Sequence, residues 1–221
     1  MAFHRVPNAM GVITDIKEQK RRKDRVSVFV DGRYALGMSR LSLIKSGLVV
    51  GQEVSGDQVL ELEAEAQLEE ALNVAGRFLG YRPRSEREVR SRLRRRGFDE
   101  DVVERAVARL RERGLLDDTE FARFWKENRV AFSPRSRRLL EQELRRKGVD
   151  VEVVAEVSAD VEDSEEAYRA GHKKARSLPL GDYTVFHRRM MSFLKGRGFG
   201  YATASETARR LWQEAGEQEE I

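Results

Sequence analysis

Apolar and polar residues alternate through the first part of the chain, with the period of two that is typical of β-strands. Residues 11–19 (GVITDIKEQ) predict one strand, and residues 25–30 (RVSVFV) predict a second. Asp31-Gly32, which follows the second strand, is a strong signal for a two-residue hairpin turn. The pattern therefore predicts a small antiparallel sheet. In its first strand, the residues predicted to share one side are Val12, Thr14 and Ile16.

A charged turn and short helices complete this first part. Residues 20–24 (KRRKD) predict a hairpin tip, and we interpret its charges as solvated rather than functional, because charged turns usually lie at the surface. Ser39 to Ser46 predicts a short helix that ends at Gly47. Another helix is predicted to begin over residues 56–62.

From about residue 63 the apolar spacing becomes helical and the sequence repeats itself. Residues 81–103 (YRPRSEREVRSRLRRRGFDEDVV) recur as residues 132–154 (FSPRSRRLLEQELRRKGVDVEVV), 51 positions later. A looser third copy begins at Phe186 and places Leu194 and Gly198 50 positions after Leu144 and Gly148. Self-similarity at a fixed period of this size predicts an array of small helical units, each packed against its neighbours.

Each predicted repeat contains three helices whose ends carry capping signals. In the first repeat, a helix over residues 64–79 is followed by one that Ser85 and Glu88 open with capping-box spacing. Gly97 is placed to end that second helix, and Asp99 to cap the third. The same capping-box spacing recurs at two later helix starts, Asp117/Glu120 and Thr203/Glu206.

The sequence thus predicts a mainly α fold, in which three tandem three-helix repeats form an elongated array behind a small antiparallel β-containing N-terminal region. The predicted segments are the β-rich region at 1–62, repeat one at 63–116, repeat two at 117–162, and repeat three with an acidic tail at 163–221.

The composition agrees with a slender helical protein and excludes several kinds of functional site. Charged residues make up 36% of the chain and apolar residues 40%, which argues against one large core. The chain has no cysteine, so disulfides, thiolate metal sites and cysteine nucleophiles are excluded. The sequence shows neither an apolar run long enough for a membrane span nor a signal-peptide core. We therefore expect a soluble, cytoplasmic protein.

Basic residues recur at equivalent places in the middle helix of each repeat. Net charge is only +4, but residues 82–96 hold eight arginines against two glutamates, whereas residues 150–166 hold eight acids and no base. The alignment pairs Arg87 with Arg138 and Arg188, and Arg94 with Arg145 and Lys195. Three further candidates occur in fewer copies, namely Arg84, Arg135 and Arg90. We interpret these nine residues as a candidate partner-binding set.

A structural explanation of the same cations is that arginine favours helices and keeps a thin protein in solution. Cations also stabilise the last turn of a helix, because they interact favourably with the negative end of the helix dipole. That explanation fails for Arg87, Arg138 and Arg188, because they lie near predicted helix starts, where a positive charge forfeits about 0.3–1 kcal/mol. Binding is therefore the favoured interpretation of the recurring positions.

No catalytic, metal or cofactor motif stands out. The histidines at 4, 172 and 187 share no helix-face spacing, so they do not predict a metal site. Residues 196–200 (GRGFG) resemble a phosphate loop only in composition, because no strand precedes them, and helix termination explains them better. We therefore predict no cofactor, no bound metal, no small-molecule substrate and no enzymatic activity.

The repeat resembles the RecX family of regulators of the RecA recombinase. The resemblance rests on residues 81–125, where a basic helix, Arg-Gly-Phe, a valine-rich helix, Gly-Leu-Leu-Asp-Asp and Phe-Ala-Arg follow in order, and on the second copy from residue 132. It covers about residues 64–216, and the third copy departs most in its entry turn. It implies that the repeats form a curved elongated array and that the chain lies in the groove of the RecA–DNA filament. There it would restrain recombinase, ATPase and coprotease activity in DNA repair, recombination and the SOS response.

Two other functions stay open at this point. A helix, a glycine turn and a second helix resemble a helix-turn-helix module that acts on single- or double-stranded DNA directly. Against it, the helices that would read DNA, near residues 99–113 and 150–161, begin with acidic residues. An enzyme is the third option, and no constellation of residues supports it. The sequence leaves open whether RecA, DNA or both are contacted, how activity would be blocked, what the β region does, and the oligomeric state.

Overall fold

The computed structural model describes residues 10–20 and 22–219. Within them the chain forms four strands and then mostly helices. The elements are β1 (Gly11–Gln19), β2 (Arg22–Val30), β3 (Arg33–Ser39), α1 (Arg40–Ser46), β4 (Glu53–Val54), α2 (Gly56–Leu79), α3 (Glu86–Arg94), α4 (Glu100–Glu112), α5 (Asp118–Phe132), α6 (Arg137–Arg146), α7 (Val151–Ser158), α8 (Asp163–Ala175), α9 (Tyr183–Gly196) and α10 (Tyr201–Glu219). The predicted fold class, mainly α behind an antiparallel sheet, is confirmed.

The sheet has the order β3-β2-β1-β4, and every neighbouring pair is antiparallel. Asp31 and Gly32 have φ of 49° and 74°, the two positive values that a type I′ hairpin turn needs, so the predicted turn is confirmed. The predicted face of β1 is wrong. Its register shifts between Ile13 and Asp15, so Thr14 is an extra residue, and Ile16 returns to the core side with buried Ile13. Val12 and Thr14 are exposed.

Helix α2 is one continuous helix of 24 residues, whereas the sequence suggested a break near residue 63. A complete capping box between Ser55 and Gln58 opens it. The helix packs against β3 and α4, and its first half closes the core of the sheet, which is built from Ile13, Val28, Leu36 and other apolar residues. The boundary predicted at 62/63 therefore falls inside a helix, so the β region and the first repeat share one element.

Contacts divide the chain into two compact units. Among the described residues, one unit contains 10–20, 22–82 and 89–115, and the other contains 83–88 and 116–219. In the second unit, repeat two has its own core around Phe121, Leu144 and Val154, and repeat three has a core around Phe186, Leu194 and Leu211.

The ends of the three middle helices share one local structure. Gly97, Gly148 and Gly198 have φ of 85°, 88° and 90°, and in each case the amide of the next residue donates to the carbonyl of a leucine five positions earlier. This is the Schellman arrangement, in which the left-handed glycine exposes the last carbonyls to new donors. It confirms the predicted stop at Gly97 and the interpretation of residues 196–200 as helix termination.

The capping box predicted at Ser85/Glu88 forms, and Asp117 is an N-cap as predicted, but no returning bond from Glu120 completes its box among the described residues; the predictions at two other helix starts were wrong. Ser85 and Glu88 exchange both bonds of a capping box, at 3.3 Å each, and Asp117 accepts from the amides of Thr119 and Glu120. Asp99 stands at the N-cap of α4 but makes no side-chain capping bond. The box at Thr203/Glu206 does not form, because α10 already begins at Tyr201.

Candidate partner-binding surface

The middle helices α3, α6 and α9 carry the six recurring cations in pairs seven residues apart, which is two helical turns. A buried leucine just before the second cation of each pair anchors the helix from the other side: Leu93, Leu144 and Leu194 are 0% exposed. The cations themselves are exposed in all three helices. The local fold therefore turns both recurring positions toward solvent.

Arg87, Arg138 and Arg188 are exposed, and the described part of the chain offers none of them an ion-pair partner. Arg87 and Arg138 are each the second residue of their helix. A cation there faces the positive end of the dipole, so helix stability does not explain it. Arg188 is the sixth residue of α9, beyond the first turn, so the dipole argument made from the sequence does not hold for it.

The second cation of each pair (Arg94, Arg145 and Lys195) interacts with another side chain of the same protein. Arg94 holds Glu100 with two hydrogen bonds, the longer being Nε–Oε2 at 2.8 Å, and these bonds lower the pKa of the Glu100 carboxyl. Arg145 lies 3.3 Å from Glu141 (Nη2–Oε2), and Lys195 lies over the ring of Tyr201 at 5.2 Å. Exposed ion pairs of this kind contribute little to stability, so a partner could exchange those of Arg94 and Arg145 at small cost.

The three additional candidates are more deeply engaged. Arg90 makes two hydrogen bonds to Glu104, at 2.8 and 3.1 Å. Arg135 lies 3.1 Å from Glu143 (Nε–Oε1), a half-buried carboxylate that also accepts from Arg129 and Trp125. Arg84 is half-buried and has interactions of its own. Because these three side chains interact within the chain, Arg87, Arg138 and Arg188 are the better candidates for contact with a partner.

A joint that no sequence pattern predicted connects successive repeats. The N-cap serine of one middle helix meets the C-terminal turn of the next: Ser85 Oγ donates to the Lys147 carbonyl at 2.7 Å, and the Ser136 amide donates to the Arg197 carbonyl at 3.1 Å. At both joints the first helical amide donates to an aspartate that begins the following repeat. These bonds run from Glu86 to Asp118 at 2.8 Å and from Arg137 to Asp163 at 2.7 Å.

The first joint also fixes one of the recurring arginines, Arg87. A Cβ placed on Gly148 would lie 2.8 Å from Arg87 Cβ, so the aliphatic stem of Arg87 packs on bare glycine while its guanidinium stays outside. At the second joint, a Cβ on Gly198 would lie 2.5 Å from Ser136 Oγ and 2.8 Å from Leu139 Cβ. The only sequence signal for these contacts is the paired recurrence of the Pro-Arg-Ser entry and the glycine stop.

The described residues contain no metal centre, since no group of three or more histidine or acidic side chains could hold an ion. His187 lies 3.3 Å from Ser205 Oγ, and His172 packs on Tyr168 with ring centroids 5.8 Å apart. His4 lies outside the described residues. The described helices are also too short or too polar to cross a membrane.

Comparison with known proteins places these features in a family. Residues 11–55 match the family model of the regulatory protein RecX N-terminal domain, 71–110 match the first RecX three-helix domain, and 117–157 match the second. The regulatory protein RecX of Lactobacillus delbrueckii subsp. bulgaricus is 32% identical over 219 residues, which cover 96% of this chain and 79% of that protein. The chain belongs to the RecX family. The resemblance read from the repeats is therefore confirmed.

Other RecX proteins and solved RecX structures agree. The RecX of Amycolatopsis mediterranei is 36% identical over 159 residues, covering 71% of this chain and 91% of that one. A crystal structure of regulatory protein RecX superposes with a TM-score of 0.62 at 23% identity, over 87% of this chain and 96% of that chain. The crystal structure of RecX from Lactobacillus salivarius superposes with a TM-score of 0.55 at 20% identity, over 66% of this chain and 96% of that chain. These two likenesses establish a shared RecX fold. The two matched three-helix ranges lie inside predicted repeats one and two, and the boundaries of the repeats stay a prediction.

Proposed function

We propose that this RecX-family chain is a non-catalytic regulator that binds the RecA–DNA filament in its groove. There it would inhibit recombinase, ATPase and coprotease activity, and so regulate DNA repair, recombination and the SOS response in the cytoplasm. The observation that carries the proposal is the set of three exposed arginines, Arg87, Arg138 and Arg188, at the same place in three repeats and without ion-pair partners in the described chain.

The repeated joint supports this proposal because similar contacts connect the helix starts that carry Arg87 and Arg138 to the ends of the following middle helices. Arg87 is followed by Arg138 across the joint at Gly148, and Arg138 is followed by Arg188 across the joint at Gly198. A filament presents its own acidic and phosphate groups at a fixed repeat. Several weak contacts on one connected chain then gain from effective concentration, so moderate individual affinities suffice.

The experiment reverses all three charges together, as Arg87→Glu, Arg138→Glu and Arg188→Glu. Inhibition of RecA ATP hydrolysis on single-stranded DNA and co-sedimentation with RecA filaments would be measured at moderate salt. We expect the variant to lose most of both, because each contact becomes a repulsion.

The matched control reverses three other exposed arginines, Arg113, Arg176 and Arg209, and so makes the same change in net charge. It should keep inhibition near the wild-type level. Equal activity of both triple variants would exclude the three middle-helix arginines as the contact surface.

A further inference from the structure

A cavity of about 480 Å³ lies in the first unit, and its lining does not include Arg87, Arg138 or Arg188. The end of α2, the end of α3 and the beginning of β2 line it. Its walls combine guanidinium groups with aromatic rings: Arg77, Arg92, Arg96, Phe78, Tyr81 and Phe98. A second depression of about 380 Å³ shares Arg22, Glu70 and Arg77 with it and extends along the sheet.

Positive charge dominates the larger cavity. Its one lining carboxylate, Glu70, is held by Arg22 (Nη1–Oε1 2.7 Å) and by Arg25. Arg25 belongs to the second depression, where burial and then the charge of Arg22 lower the pKa of its guanidinium. Arg77, Arg92 and Arg96 then have no carboxylate partner within the described ranges. The cavity is therefore built for an anionic ligand.

The aromatic side chains are the second observation. Tyr81 is 85% exposed, whereas Phe78 and Phe98 are half-buried at the cavity wall. The guanidinium of Arg92 lies 5.6 Å from the centroid of the Phe78 ring, and its Nε is buried without a hydrogen-bond partner among the described residues. The fold itself therefore does not use the full hydrogen-bonding capacity of Arg92.

We propose that this cavity binds a nucleotide unit, with its phosphate on Arg77, Arg92 and Arg96 and its base stacked on Tyr81. Guanidinium groups match phosphate oxygens in geometry and charge, and an exposed ring beside them is the arrangement that stacks bases without regard to sequence. An acidic peptide would satisfy the arginines but would leave the tyrosine face unused. The unit is either a free nucleotide or one residue of a single strand.

This site is independent of the RecA proposal, and its test contains no recombinase. The full-length protein is titrated with two fluorescent probes, a labelled oligothymidylate and a labelled adenosine triphosphate, and anisotropy is followed at several salt concentrations. The variants are the double change Arg77→Glu with Arg96→Glu, and Tyr81→Ala. The matched controls are Arg33→Glu with Arg113→Glu, and Phe132→Ala, all of them exposed residues outside the cavity.

Tyr81→Ala should weaken binding of the oligonucleotide about 5- to 150-fold, the range for loss of one stacked base. The double arginine variant should in addition lower the slope of log Kd against log salt by about 0.7 for each phosphate that it no longer neutralises. Binding of the oligonucleotide alone identifies a single strand as the source, and binding of both probes identifies any nucleotide. Thermal melts of each variant show whether it is folded.

Two results would overturn the assignment. One is that folded variants of the cavity bind both probes as tightly as the controls. The other is that a polyglutamate peptide displaces the oligonucleotide as effectively as unlabelled oligonucleotide does, because the cavity would then select negative charge and not a nucleotide.

Discussion

At the scale of single residues, Glu166 is the least expected side chain in the second unit. It is 5% exposed in the core of repeat three, with one oxygen 3.1 Å from Arg169 Nη1. Its other oxygen, Oε2, is buried and has no hydrogen-bond partner among the described residues. Burial raises the pKa of the Glu166 carboxyl above its ordinary 4.5, with Arg169 opposing and Glu165 adding to the rise. The folded chain therefore holds this proton more tightly than the unfolded chain does.

That difference gives a pH dependence with a definite sign. Because the folded state binds more protons, the contribution of Glu166 to the free energy of unfolding falls as the pH rises from 4.5 through the raised pKa. Glu166→Gln keeps the shape without the charge, so at pH 7 we expect Tm to rise by about 2–4 °C, equivalent to about 1 kcal/mol in a chain of this length. The gain should vanish near pH 4, where the wild-type carboxyl is protonated.

The neighbouring Glu165→Gln provides the control, since Glu165 is exposed and its side chain is 68% accessible. It should leave Tm almost unchanged at both pH values. A gain for Glu166→Gln that is the same at pH 4 and pH 7 would mean that packing, and not the buried charge, sets its stability.

At the scale of elements, the joint between middle helices depends on glycine twice over. Gly148 and Gly198 need positive φ and also leave no room for a Cβ against the preceding repeat, whereas Gly97 needs positive φ but has open space around it. Gly97→Ala should therefore cost only the left-handed conformation, about 1–2 kcal/mol. Gly148→Ala and Gly198→Ala should each cost a further 1–3 kcal/mol or so through overpacking.

Urea unfolding gives these free energies, and hydrogen exchange locates the effect. The Ser136 amide, which crosses the second joint, should lose protection in Gly198→Ala and keep it in Gly97→Ala. If alanine costs the same at all three glycines, the joint has room for a methyl group and the close contacts do not fix it.

The elements that the sequence predicted well are those whose signals are local. Ser85 reaches Glu88 within one turn, and the stop at Gly97 depends on its own φ, so both can be read without knowing the fold. The errors arose where distant packing decided the outcome. A bulge turned Ile16 back to the core, and the helix start at Tyr201 left Thr203 inside α10.

For the candidate surface, too, the sequence identified some features and missed others. Recurrence at a fixed period was sufficient to find Arg87, Arg138 and Arg188 among 42 basic residues. Recurrence could not show that Arg94 forms an ion pair with Glu100, or that Glu143 forms ion pairs with both Arg135 and Arg129. Those partners lie on other helices or outside the aligned positions. The joint, too, depends on contacts more than 60 residues apart in sequence, such as Ser85 with Lys147.

At the scale of the whole molecule, the proposed binding residues are spread over several repeats. The exposed arginines recur in three repeats, whereas α7 has acidic residues and no cation. Successive arginines belong to different repeats and share no side-chain partner among the described residues, so their contributions to binding should be nearly independent. A surface of this kind differs from an interface with one dominant anchor.

This independence yields the last prediction. Each single change, Arg87→Ala, Arg138→Ala or Arg188→Ala, should weaken binding to RecA filaments on single-stranded DNA by a similar factor of about 3- to 10-fold, as expected for one charged contact of roughly 1 kcal/mol. The free energies should add in the double and triple variants to within about 0.5 kcal/mol. Each loss should also shrink as salt rises, because the contacts are exposed and screened. Arg113→Ala is the matched single control. If one single change abolished binding while the other two had no effect, the filament would be recognised through one repeat, and the recurrence of the other arginines would need another explanation.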